Sequence, residues 1–144
     1  MMRRLATAFP ILLLLLAGGV AAEEPAPSTA DAAAIRQVIE GQLAAFQRDD
    51  GAAAFAYASP EIQTKFHDPD TFMQMVKSGY RPVYRPQEVE FRDLTLHEGT
   101  PIQEVLVVGP DGQPVMAIYF MEQQPDGSWR ISGCTLVKAP DQSV

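Results

Sequence analysis

Apolar positions along this chain change their period once. Between Asp31 and Arg48, the residues Ile35, Val38, Ile39, Leu43 and Phe46 recur every three or four positions, which lays an apolar stripe along one face of a helix. Ser28 or Thr29 stands where the cap belongs, and Asp31 adds negative charge to a first turn whose free N–H groups favour it. Asp49-Asp50-Gly51 breaks the stripe and recaps a second, alanine-rich helix reaching Tyr57. Ser59-Pro60-Glu61 opens a short third helix with proline in its favoured first position. Asp70 is the expected cap of a fourth, "TFMQMVKS", which Gly79 ends.

After Gly79 the pattern becomes extended. "YRPVYRP" is expected to be non-helical, since Pro82 and Pro86 each remove a donor and push the preceding residue out of the helical region. Strands are expected over 89–96, 102–108, 115–122 and 129–137, all rich in β-branched and aromatic residues. "GPDGQP" and "QPDGSW" put Asp-Gly between apolar runs, a strong hairpin signal. Helices followed by an antiparallel meander define an α+β domain with its helices on one face of a sheet of four to five strands. A sheet curled over helices leaves a blind cavity between them, and a ligand is expected there. On strand 115–122 both faces are apolar: Val115, Ala117, Tyr119 and Met121 oppose Met116, Ile118 and Phe120. The outer face therefore needs cover, from a second copy in a homodimer or from more of its own chain.

The N-terminus reads differently. "MMRRLATAFPILLLLLAGGVAA" has a basic start, an apolar run and a small-residue cleavage site, the form of a secretory signal peptide over 1–22. Pro10 and Gly18-Gly19 bound the apolar run well below the roughly 18–20 residues of a membrane span. The expectation is a periplasmic or secreted chain with no integral membrane segment after cleavage. Residues 23–30 make a flexible leader, 31–140 the single domain and 141–144 a tail. The 144-residue chain has a formal net charge of −7, and cleavage removes Arg3 and Arg4, making it more acidic. Such a balance argues against nucleic acid and anionic membrane surfaces as partners.

Several local stretches suggest chemistry. Cys134 is the sole cysteine, so no internal disulfide is available, and simple alternation puts it on one face with Arg130, Ser132 and Leu136. A buried structural thiol is the simplest reading. Gly133 beside it suggests a bend or a close backbone approach. "HDPD" at 67–70 has residue types that bind metals, yet a turn and a helix cap account for its acids, and no metal or other cofactor is expected. In "YRPVYRP", extended geometry would set Tyr80, Pro82, Tyr84 and Pro86 opposite Arg81, Val83 and Arg85. That arrangement is either an edge strand guarded by proline and arginine or a guanidinium seat for a carboxylate or phosphate. Met73, Met75, Met116 and Met121 are irregularly spaced, as core fillers are.

"AAFQRDDGAAAFAYASPEIQTKF", "YRPVYRPQEVEF" and "WRISGCTLVKAP" resemble a family of small bacterial exported proteins, domain of unknown function 4864. More broadly, residues 31–140 resemble the nuclear transport factor 2-like superfamily, a cone of helices held in a curved sheet. That wider resemblance implies a cavity and admits both binding domains and isomerases or dehydratases, so the fold leaves the function open. Isomerases of that superfamily use a carboxylic acid and a tyrosine hydroxyl in an apolar cavity. Asp93 and His97 are the weak catalytic candidates it implies. Tyr57, Tyr80, Arg81, Tyr84, Arg85 and Tyr119 are the candidates for holding a small apolar or anionic ligand. The reading favoured is a non-catalytic ligand-binding or protein-interaction module, against a small-molecule enzyme using acid-base groups in the cavity.

Overall fold

Each of the first four helices begins at a side chain that satisfies an otherwise free backbone N–H. In the computed structural model, which describes residues 26–140, Ser28 accepts from the Asp31 N–H at the start of α1 (Thr29–Gln47). Asp50 does the same for α2 (Gly51–Ala56) and Ser59 for α3 (Pro60–Phe66). The fourth, α4 (Pro69–Gly79), is capped by Asp68, whose carboxylate accepts from Thr71 N–H at 2.7 Å. This corrects the expected cap at Asp70: Pro69 supplies the first helical residue, so the capping position falls one residue before it. The proposed signal peptide, the first three residues of the leader and the tail lie outside the described residues.

"YRPVYRP" is also corrected. Arg81–Tyr84 forms a helical turn, α5, in which Val83 is buried. Pro82 sits at the start of this turn, where a missing N–H costs nothing, and the turn ends before Pro86. The expected split into a tyrosine row and an arginine row therefore does not form.

Four strands follow: β1 (Glu88–His97), β2 (Thr100–Val108), β3 (Pro114–Gln123) and β4 (Trp129–Lys138). They pair antiparallel in chain order. Glu98 and Gly99 both have positive φ, 50° and 79°, and form the two-residue turn between β1 and β2. The other two links are the Pro-Asp-Gly loops, with Gly112 at φ 78° and Gly127 at φ 87°. Asp111 and Asp126 each accept from the backbone N–H two residues on.

Two bulges decide which side chains face the helices. In β1 the register slips between Phe91 and Leu94, so both point inward and Arg92 and Asp93 together oppose Glu104. The buried Gln103 amide donates to the carbonyls freed there, Arg92 at 3.0 Å and Asp93 at 3.4 Å. In β4 the register slips beside Ser132: Phe120 pairs with Gly133, while Met121 pairs with Ile131. Trp129, Ile131, Cys134 and Leu136 thus all pack toward the helices. Simple alternation had separated Ile131 from Cys134, and the extra residue reunites them.

The core is the α1 stripe, Ile35, Ile39, Leu43 and Phe46, packed with Phe55, Phe72 and Val76 against Val105, Val107, Ala117 and Met121. On the outer face, the chain's own Ala139 packs on Leu106 and Met116, burying both. Ile118 and Phe120 stay half-buried, the Phe120 ring lying over Gly133 at the distance a Cβ would meet it, 3.4 Å.

A polar clamp holds α5 on the end of α1. Asp49, at φ 52° just past α1, accepts hydrogen bonds from the Tyr84 hydroxyl and the Arg85 guanidinium. Arg85 also donates to the Phe46 and Tyr84 carbonyls. The Tyr84 hydrogen bond, helped by the charge of Arg85, holds the Asp49 carboxyl below its ordinary value of 3.8. A carboxyl depressed on folding adds stability that is full above its unfolded pKa and is lost as pH falls through the folded one. Asp68 and Asp126, depressed by hydrogen bonds from Thr71 and Ser128, act in the same sense. We expect Asp49→Asn to lower the melting temperature near neutral pH and to shrink the loss between about pH 5 and pH 3. Thermal melts of both proteins across that range check this; parallel pH profiles would contradict it.

Candidate functional site

The bulge in β4 and the link between α2 and α3 are joined by backbone hydrogen bonds. Ile131 N–H donates to Tyr57 carbonyl at 2.9 Å, and Ser59 N–H donates to Ile131 carbonyl at 2.8 Å. Arg130 covers the neighbouring carbonyls of Ala56 and Ala58 at 2.8 and 3.3 Å. Beyond this tie, β4 and the helices diverge around a cavity of about 390 Å³. That volume falls at the small end of the range for ligand sites.

Its wall is mostly apolar. Phe46 from α1, Ile62 and Phe66 from α3, Phe72, Met75 and Val76 from α4, and Val83 from α5 face Ile131 and Cys134 from β4 and Tyr119 from β3. Phe72 holds the aromatic side together, with ring centroids 6.3 Å from Phe46, 5.4 Å from Phe55 and 5.8 Å from Phe66. None of the α3 side chains is fully buried, because α3 covers the cavity rather than the core. Lys65 on α3 is the one charged residue in the lining.

Polar groups in the wall are mostly committed. Gln42 donates its side-chain amide to Ala54 carbonyl at 3.1 Å. The Tyr80 hydroxyl donates to Cys134 carbonyl at 3.1 Å, and Ser132 donates to Phe120 carbonyl at 3.1 Å. Tyr119 differs. The residue is 1% exposed, and its hydroxyl has no well-formed hydrogen bond to any described residue. The Cys134 sulfur, its cross-strand neighbour, stands beside it as a weak acceptor. Burial, with the sulfur as a smaller influence, raises the Tyr119 pKa well above 10.0. Burial likewise pushes the Cys134 thiol up to about 12. Cys134 keeps partial exposure as a residue, which is the surface it shows to the cavity. Both groups are neutral at physiological pH.

The sequence candidates separate accordingly. Tyr80, Tyr119 and Cys134 line the cavity; Tyr57 instead lies across Gly41, where an added Cβ would meet its hydroxyl oxygen and ring carbon. Tyr84 and Arg85 belong to the Asp49 clamp, so the carboxylate that suits the guanidinium is the chain's own. Arg81 is exposed. Asp93 and His97 are exposed on the outer side of β1, away from the cavity lining. His67 takes a left-handed conformation, φ 71°, between α3 and α4. Among the described residues no carboxylate or imidazole lines the cavity, and no group of three or more metal-binding side chains comes together. Sequence reasoning missed Gln42, Ile62, Lys65, Phe66 and Ile131. Ser59-Pro60-Glu61 did signal a short helix there, and its apolar Ile62 and Phe66, four residues apart, were the available clue.

The geometry defines a small α+β domain with an apolar pocket between helices and sheet, carrying one buried hydroxyl whose only neighbour able to accept is a weak sulfur. The chain belongs to the family described as domain of unknown function (DUF4864), whose model matches residues 28–144. No curated protein and no solved structure matches it.

A thiol with this pKa is nearly all protonated at pH 8, and the thiolate is the reactive form. Cys134 in the folded protein should therefore react with a disulfide reagent roughly a thousand-fold more slowly than in denaturant. Equal rates in the two states would contradict the burial of this thiol.

Proposed function

We propose that this protein is an exported, non-catalytic binding domain that holds a small, largely apolar molecule in the cavity between its helices and β4. The observation that carries the reading is Tyr119: a hydroxyl 1% exposed, without a well-formed hydrogen bond, in the wall of a cavity of about 390 Å³. A buried donor left unpaired costs roughly 1–3 kcal/mol, and a ligand oxygen accepting from it offsets that cost. The sheet over helices supports membership in the nuclear transport factor 2-like group, and the signal-like N-terminus supports the periplasm or exterior as its place of work.

An acid-base enzyme is the less favoured reading. Proton-transfer catalysis needs a group whose pKa lies near the working pH, whereas Tyr119 and Cys134 are both driven away from it.

The test is Tyr119→Phe. Removing a buried hydroxyl whose one acceptor is a weak sulfur should raise the stability of the ligand-free protein by up to about 1 kcal/mol, read from denaturant melts. The same change should weaken binding of octan-2-one, followed by calorimetry, by roughly five-fold. A variant less stable than the parent, with unchanged affinity, would remove the basis of the reading.

A further inference from the structure

Resting on the reading of the cavity as a binding site, we propose that its ligand is an oxo-carboxylate. The neutral oxygen of that molecule accepts from Tyr119 at the closed end, and its carboxylate lies at the mouth beside Lys65. The two ends differ in what they can stabilise. At depth, Tyr80, Gln42 and Ser132 already donate to backbone carbonyls, so the Tyr119 hydroxyl, with only the weak Cys134 sulfur beside it, is the donor most open to a stronger acceptor. A carboxylate placed there would lose its water against a single hydroxyl and a neutral thiol, without any cation, which is unfavourable. A ketone oxygen needs one donor and carries no charge, so it fits.

The mouth has the opposite character. Lys65 is exposed, is the single charged residue of the lining, and makes no salt bridge among the described residues; its ammonium rests 5.5 Å from the Phe66 ring centroid. In a chain of net charge −7, a cation set on the rim of an apolar cavity favours an anionic group over a cationic one. Between the two ends the wall is Phe46, Ile62, Phe72 and Val76, which suits a hydrocarbon chain. A liquid allots roughly 30 Å³ to each small group, so about 390 Å³ holds a molecule of about a dozen non-hydrogen atoms.

Calorimetric titration with three probes separates the two ends: octan-2-one carries only the neutral oxygen, octanoate only the carboxylate, and 7-oxo-octanoate both. The doubly functional probe should bind roughly five-fold tighter than octanoate and roughly two- to five-fold tighter than octan-2-one. Lys65→Gln should abolish the advantage over octan-2-one and leave octan-2-one itself unchanged. Tyr119→Phe should abolish the advantage over octanoate and leave octanoate unchanged. Tyr119→Phe keeps the ring, Lys65→Gln replaces the cation with a shorter neutral polar side chain at an exposed position, and a melt of each variant shows that it is folded. Octan-2-one binding as tightly as 7-oxo-octanoate, in the parent and in Lys65→Gln alike, would overturn the carboxylate at the mouth while leaving the cavity a binding site. Octanoate weakened by Tyr119→Phe would place the acid at depth and overturn the assignment of the two ends. Failure of all three to bind would overturn the binding reading and this inference together.

Discussion

Ile131 joins the two halves of this domain through its own backbone. Its N–H and carbonyl are both taken by the link between α2 and α3, a single parallel bridge beside the antiparallel sheet. The exposed edge of β4 would otherwise offer unpaired donors and acceptors to another chain. The tie is short, and it occurs next to a bulge that bends the strand. Helices and sheet are therefore pinned together at one end of β4 and part beyond it, so Ser132 to Thr135 face α3 and α4 across open space. On the far side, Asp49, Tyr84 and Arg85 pin α5 to α1. The cavity is what remains between two fixed points.

That arrangement carries features that packing alone would remove. Interiors normally fill their space, and a void in an apolar wall forfeits contacts on every side. A buried hydroxyl with only a weak sulfur acceptor adds a desolvation cost. Against a net stability of about 5–15 kcal/mol for a typical domain, such costs are large enough that they would ordinarily be relieved by a phenylalanine or a bulkier neighbour. On the proposed reading, a ligand would relieve both at once, by filling the space and accepting from Tyr119. The neutral state of Cys134 is consistent with this, since an ionised thiolate would compete for the same proton.

How much of this was legible in the sequence depended on the range of the interactions. Local chemistry read well: the α1 stripe, the caps at Ser28, Asp50 and Ser59, and the Pro-Asp-Gly turns each depend on a few neighbouring residues. Beyond the cap of α4, which falls at Asp68 and not Asp70, two readings failed for physical reasons. Prolines argue against helix interiors, yet Pro82 begins a helical turn, where proline is tolerated, and the contacts of Val83 with the core decide the outcome. Period-two alternation assigns faces only in an unbroken strand, and the bulges at Arg92-Asp93 and beside Ser132 shift the count. The site was half visible: Tyr80, Tyr119 and Cys134 were named, whereas Lys65 and Ile131 gain significance only when β4 and α3 are brought together. Arg85 looked like a seat for an outside anion because its partner, Asp49, lies 36 residues away.

The most direct measurement is native mass spectrometry of the full chain expressed in a bacterial host and purified from the periplasm without reductant. The account predicts a protein carrying a small molecule with an oxygen acceptor, retained on gentle desolvation, and an unmodified thiol at Cys134. A bare protein whose thiol carries an adduct or a disulfide-linked partner would contradict it, and would move the function from the cavity to the cysteine.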